Sequence, residues 1–319
     1  MDFIPKIALT MGDPAGIGPE IAVRAANDPK IKRIAEIIVY GCPDIIAAAA
    51  EKFASGHIPH ICETGTMEYR ELSPGKADAE CGIIARNTVI QATNDAIDGR
   101  VDAIVTCPMN KASVNLAGIR FTGHTELIAE LCGVKNFAMM QSAGDLRIAF
   151  VTTHISLREV SDHITDARII EVANLLCDAV KAEEIEKPRI AAAAINPHAG
   201  ENGYMGSEDE KVVKPALEKL RKSGMDIEGP FPPDTLFIEK IRSRFDGILS
   251  MYHDQGHIPF KMLAFEKGVN STLGLPIIRT SVDHGTAFEI AWKGVADMGS
   301  LIEAIKLAAK RASNRPRQT

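Results

Sequence analysis

Four histidines in this 319-residue chain stand where an open α/β sheet gathers its chemistry. His124 in FTGHTE, His154 in VTTHIS, His198 in INPHAG and His253 in MYHDQG each lie at or just past an apolar, β-rich run or in a polar turn. The carboxyl ends of strands are where such sheets place ligands. Neutral imidazoles ligate zinc and related divalent ions, and three protein ligands with one open position make a catalytic metal centre. A single histidine in such a turn is more often a hydrogen-bonded polar residue, and no H-E-x-x-H pair occurs here. Three in equivalent local settings shift the balance toward a shared site.

Acids and cations are weighed the same way. Asp254, next to His253, has three readings: it orients an imidazole, ligates an ion, or caps the turn. Asp234 in PPDTLF suits a general base, and equally suits a helix N-cap. Lys261 in HIPFK, Asn270 in GVNST and Arg279 in PIIRTS fall at short intervals along one stretch. Together they can hold an anion, because Lys supplies a point charge and Arg a bidentate fork for phosphate or carboxylate. Arg279 follows the apolar run LPII, where a solvated surface role is less expected.

These residues hang on alternating segments. KIALT, EIIVYG and DAIVTCP read as strands, each followed by a helix-like stretch: PEIAVRAAND, DIIAAAAEKF and NKASVNLAG. FAMMQ, LRIAFVTTH, RIAAAAINPH and DGILSMYHDQG continue the strand pattern, and SLIEAIKLAAKRA closes as a helix. Such alternation predicts the α/β class with a largely parallel sheet. The glycine-rich turn MGDPAGIGPE follows the first strand. It is not a dinucleotide fingerprint: Gly12, Gly16 and Gly18 have the wrong spacing, and EIIVYG ends without the acid that would hold a ribose. Pro19 and Glu20 suit the first turn of a helix.

Composition excludes several classes. With 45% hydrophobic and 24% charged residues the chain is a globular one, long enough for two domains. A net charge of −6 argues against nucleic acid as partner. No run approaches a membrane span and the start lacks a secretory leader, so a cytoplasmic address is expected. Six cysteines at 42, 62, 81, 107, 132 and 177 include no C-x-x-C pair, and most read as buried thiols acting as small apolar side chains. The basic tail SNRPRQT is expected to fray.

MGDPAGIGPE, TGHTE, NPHAGE, MYHDQG and GLPIIRTSVDHGTAFEIA, in that order from about residue 6 to residue 310, resemble the PdxA family of 4-hydroxythreonine-4-phosphate dehydrogenases. HGTAFEIAWKGVAD is similar to the adenine-side cofactor loop of the isocitrate and isopropylmalate dehydrogenases, and GDPAGIGPE to their cleft turn. The resemblance implies two α/β/α domains of that non-Rossmann type, residues 1–121 with 264–319 and residues 122–263, with the active site in the interdomain cleft of a homodimer. It places metal ligands on His154, His198 and His253, drawn from both subunits, with zinc favoured over magnesium or cobalt. Substrate contacts fall on His124, Thr125, Lys261, Asn270 and Arg279, cofactor contacts on His284, Gly285, Thr286 and Ala287, and the candidate base on Asp234. The dinucleotide is NAD, with NADP the second choice.

The implied reaction oxidises 4-phosphohydroxy-L-threonine to a 3-keto acid, which loses carbon dioxide to give 3-amino-2-oxopropyl phosphate on the way to pyridoxal phosphate. The alternative substrates are D-threonate and D-erythronate 4-phosphates, which would give dihydroxyacetone phosphate. ENG in NPHAGENG and His257 in DQGH look closer to that branch, although His257 also reads as a neutral surface variant. A branch acting on aromatic cis-dihydrodiols has no phosphate to bind, and the presence of GHTE, Asn270 and Arg279 speaks against it. A binding protein that kept the fold without chemistry is the remaining alternative.

Overall fold

The computed structural model describes residues 3–315, so residues 316–319 of the basic tail and the first two residues lie outside it. The chain divides into two compact units, Met1–Lys135 with Leu275–Thr319, and Asn136–Gly274.

The first unit runs β1 (Lys6–Thr10), α1 (Gly18–Asn27), β2 (Glu36–Gly41), α2 (Pro43–Phe53), β3 (His60–Glu63), α3 (Ala79–Ile97), β4 (Ala103–Thr106), α4 (Lys111–Leu116) and α5 (His124–Leu131). The second contributes β5 (Ala138–Ala143), β6 (Leu146–Phe150), α6 (Val160–His163), α7 (Asp166–Lys181), β7 (Ile190–Ala193), α8 (Lys214–Lys222), β8 (Ile227–Phe231), α9 (Pro233–Leu236), α10 (Glu239–Arg242), β9 (Gly247–Ser250), α11 (His253–Ala264) and β10 (Val269–Leu273). The chain then returns to the first unit with β11 (Ile278–Val282) and α12 (Gly299–Asn314).

In the first unit the strand order is β3-β2-β1-β4-β11, and every pairing is parallel. Both faces of such a sheet are covered, so β1 and β4 are buried almost end to end. In the second unit the order is β10-β5-β6-β9-β7-β8. There β9 pairs in parallel with β6 and β7, and β7 with β8, while β5 runs antiparallel to both β6 and β10. The FAMMQ and LRIAF runs are therefore a hairpin, closed by Gly144 at φ 56°, and not two arms of a βαβ unit. The proline-rich stretch EGPFPPD supplies the end of the edge strand β8 and the turn into α9.

The units meet the chain at different residues from the expected boundaries of 121/122 and 263/264. Phe121, Leu127 and Ile128 pack with Val89, Ala92 and Ala96 of α3, which keeps α5 in the first unit. β10 is paired residue for residue with β5, Asn270 opposite Gln141, which keeps residues up to Gly274 in the second. Hydrophobic burial and strand pairing thus move the crossings beyond the end of each motif.

Candidate active site

In the second unit the structure brings His154 and His253 together. His253 is the first residue of α11, directly after β9, and His154 lies in the loop after β6, the strand that pairs with β9. Their ring centroids are 5.7 Å apart at 48°. Two imidazoles sharing a tetrahedral ion would sit with centroids about 5 Å apart, given metal–nitrogen bonds of about 2 Å. Asp254 Oδ1 lies 2.6 Å from His253 Nδ1. The carboxylate accepts a hydrogen bond from Nδ1–H and leaves the lone pair on Nε2, the usual way of fixing a ligating imidazole. Of the three readings for Asp254, orientation of the ring is the one its geometry supports.

His257 is 7% exposed, which overturns the surface-variant reading. One turn below His253 on α11, it stacks on that ring at 3.9 Å and 10°, and on Phe150 at 4.3 Å and 27°. Parallel rings in face contact cannot aim their in-plane lone pairs at one ion, so His257 supports His253 and does not share its ligand. Gln141 lies 3.4 Å from His257 Nε2, and Asn270 stands opposite Gln141 across the strand pair. Asn270 Oδ1 is buried with no hydrogen-bond partner among the described residues. Lys261 follows on the same face of α11, two turns after His253. The helix is seated by Gly256, whose added Cβ would lie 2.6 Å from Phe150 Cε1, and by Gln255, whose amide donates to Ala194 O at 2.6 Å.

His198 is not brought into this group: among the described residues no three His, Cys, Asp or Glu side chains are close enough to hold one ion. It opens an unusual segment. His198, Ala199, Gly200, Glu201 and Asn202 all have positive φ, 43° to 76°, a left-handed turn that L-residues adopt only when their surroundings impose it. Asp209, fully buried, imposes it by accepting from Ile195 N at 2.8 Å and Asn196 N at 3.0 Å. Asp234 is exposed on α9, which packs against this turn. It occupies the second helical position and makes no side-chain cap, so the N-cap reading does not hold.

In the first unit, Arg279 on β11 is 4% exposed and donates from Nη2 to Thr106 Oγ1 at 2.9 Å. Burial lowers its pKa to about 10, with Glu126 opposing, so the guanidinium stays charged at neutral pH. His124 and Thr125 begin α5. No side chain caps that helix, and its positive dipole end falls at His124 itself. His124 Nε2 is buried and without a hydrogen-bond partner among the described residues. Burial, reinforced by Arg279 and Lys111, lowers the imidazole pKa to about 3. This corner therefore offers a fixed cation, a neutral imidazole and a helix amino end, a donor set made for an anion.

Residues 284–287 follow β11 and rest on the glycine turn. Ile17 N donates to Thr286 O at 3.0 Å, and Trp292 Nε1 donates to Pro14 O at 2.9 Å. Gly12, at φ 72°, leaves 2.3 Å between an added Cβ and Pro108 O, and Gly18 leaves 2.0 Å to Met11 O. The glycines therefore serve backbone approach within the protein. His284 Nε2 is buried and lacks a hydrogen-bond partner among the described residues, and no described atom lies within 4 Å of a Cβ placed on Gly285. An orphaned polar atom beside open space fits the loop to a polar ligand such as a dinucleotide.

Four participants were missed from sequence: Thr106, Lys111, Gln141 and Asp209. Gln141 carried a signal, a polar residue in the middle of the apolar run FAMMQ; the others are legible only through the contacts they make.

Comparison with known proteins places these features. Residues 23–308 match the model of the family described as pyridoxal phosphate biosynthetic protein PdxA. A 4-hydroxythreonine-4-phosphate dehydrogenase of Desulforapulum autotrophicum is 44% identical, covering 98% of this chain and 97% of its own. A D-threonate 4-phosphate dehydrogenase of Salmonella typhimurium is 42% identical, covering 96% and 98%. The crystal structure of a 4-hydroxythreonine-4-phosphate dehydrogenase from Klebsiella pneumoniae superposes with a TM-score of 0.83 at 39% identity, over 98% of this chain and 99% of that one.

Proposed function

The chain belongs to the PdxA family, and on that premise we propose that it is a metal- and NAD-dependent dehydrogenase that oxidises and decarboxylates 4-phosphohydroxy-L-threonine. The observation that carries the reading is the His154–His253 pair, with Asp254 fixing the second ring. His198 of a second copy completes the ligand set, and three imidazoles favour zinc. The second copy is supported by an exposed apolar stripe: Ile258 at 59%, Met262 at 82% and Phe265 at 68% lie one turn apart along and just past α11. A face of that kind is covered in a homodimer.

A dinucleotide held by residues 284–287 would supply the hydride acceptor, and a divalent ion held by His154 and His253 with His198 of a second copy would supply Lewis-acid polarisation. The chain supplies the rest. In the first unit Arg279, His124 and Thr125 take the anionic end of the substrate, the arginine as charge and the neutral imidazole as a hydrogen-bonding partner. In the second unit, Lys261 and Asn270 are the candidate substrate contacts. Binding energy from the phosphate orients the reacting carbon without touching it. Residues 284–287 hold the dinucleotide, and Asp234 is the candidate base that takes the hydroxyl proton. D-threonate 4-phosphate is the second reading, favoured by a relative of that name nearly as similar as the first. A cytoplasmic enzyme is supported by six free cysteines. Among the described residues no helix is long and apolar enough to cross a membrane.

Complementation tests the shared metal centre. His198→Ala and His253→Ala should each be inactive as homodimers. Subunit exchange between them restores one intact site in each mixed dimer, about a quarter of all sites in a random mixture. Mixtures that stay inactive would contradict ligands drawn from two subunits, and active single variants would contradict the ligand assignment itself.

A further inference from the structure

The glycine turn binds no phosphate by sequence, and its contacts give it another task. Gly16 faces residue 286: a Cβ added there would lie 3.0 Å from Thr286 Cβ and 3.1 Å from Thr286 O. The missing side chain leaves room for Ile17 N to donate to Thr286 O at 3.0 Å. The rest of the turn grips the same segment. Pro14 O accepts from Trp292, and the fully buried Glu20 carboxylate accepts from Gly294 N at 3.1 Å and Ala296 N at 3.0 Å. On its other flank Ala15 O accepts from Gly75 N at 2.8 Å, and Gly75 in turn passes close under Phe288 O. Within residues 286–296, Ala287 and Trp292 both have positive φ, 43° and 62°, a shape that does not persist without such restraint.

We propose that Gly16 and Glu20 are positioning residues for dinucleotide binding: the turn is a clamp that sets the height of the 284–287 loop and thereby the affinity for the nucleotide. The inference rests on the reading of 284–287 as the cofactor loop. Gly16 does not have a positive φ, so Gly16→Ala adds a methyl without backbone strain and must push the loop by a few tenths of an ångström. Glu20→Gln keeps the side-chain volume and halves its carboxylate acceptors, a second perturbation of the same loop that avoids steric pressure.

The test uses the full chain loaded with zinc, NAD and inorganic phosphate as separate calorimetric titrants, and the emission of the single tryptophan, Trp292, as a reporter on the clamped segment. Gly285→Val is the reference, since its side chain enters open space on the loop. Gly16→Ala and Glu20→Gln should each weaken NAD about fivefold, shift the Trp292 emission, raise KM for NAD more than they lower kcat, and leave phosphate binding within about twofold. Unchanged NAD affinity in both, with Gly285→Val unable to bind NAD, overturns the clamp and leaves the cofactor loop standing. Normal NAD binding by Gly285→Val overturns the loop reading and the inference with it. Equal weakening of NAD and phosphate by the two turn variants marks a general loss of structure and also overturns the clamp.

Discussion

Replacing His124 by Gln should change how stability depends on pH. The imidazole titrates near 6.5 when free and near 3 in the folded chain, because it is enclosed and faces Arg279 and Lys111. Between those values the unfolded chain takes up a proton that the folded chain refuses, so protonation favours unfolding and stability falls as pH falls from 6.5 toward 3. At pH 5 the group has passed 1.5 units of this window, which at about 1.4 kcal/mol per unit is a penalty of about 2 kcal/mol as an upper bound. Residual exposure of the ring and screening reduce it, so about 1 kcal/mol is expected. Urea unfolding of both proteins at pH 7 and pH 5 isolates the difference: the wild type should lose about 1 kcal/mol more than His124→Gln over that interval. Parallel losses in the two proteins would refute the account of a neutral imidazole beside a buried guanidinium. The same neutrality predicts that KM for a phosphorylated substrate carries no inflection from this residue near pH 6.5.

Other outcomes follow from single contacts. Arg279→Lys removes the fork and the bond to Thr106, and should lower kcat/KM for a phosphorylated substrate by about 30- to 100-fold, measured against unchanged NAD affinity. Asp254→Asn leaves His253 in place but cannot fix its tautomer, and should weaken metal affinity by about 10- to 100-fold in competition with a chelator. Gly256→Val forces α11 off Phe150 and Ile148, and should lower stability by about 1–3 kcal/mol in thermal unfolding.

Much of this was legible in the chain. KIALT, EIIVYG and DAIVTCP announce strands because apolar β-branched runs bounded by turns have one comfortable home, the interior of a parallel sheet, and all three lie there. Strand direction was less legible: nothing in FAMMQ or LRIAF separates a hairpin from a crossover except the two-residue turn at Gly144 and Asp145. β8 was hidden because prolines argue against strands, yet an edge strand bonded on one side tolerates them. Among the site residues, His253 and Asp254 declared their partnership by adjacency. His257 could not, because stacking depends on helical phase and on Phe150 from a distant strand. The left-handed turn at His198 has no compositional signature beyond its glycines; a buried carboxylate eleven positions later, Asp209, holds it. The contacts of the glycine turn were not legible, since close backbone approach to a ligand and close approach to another loop require the same residue type.

The most direct measurement is NADH formation by the zinc-loaded protein offered 4-phosphohydroxy-L-threonine and D-threonate 4-phosphate in parallel, with carbon dioxide release followed in the same reactions. The account predicts metal-dependent reduction of NAD with release of carbon dioxide, strongest with 4-phosphohydroxy-L-threonine. Preference for D-threonate 4-phosphate would replace the substrate and keep the chemistry; silence on both, with metal bound, would contradict the proposed function.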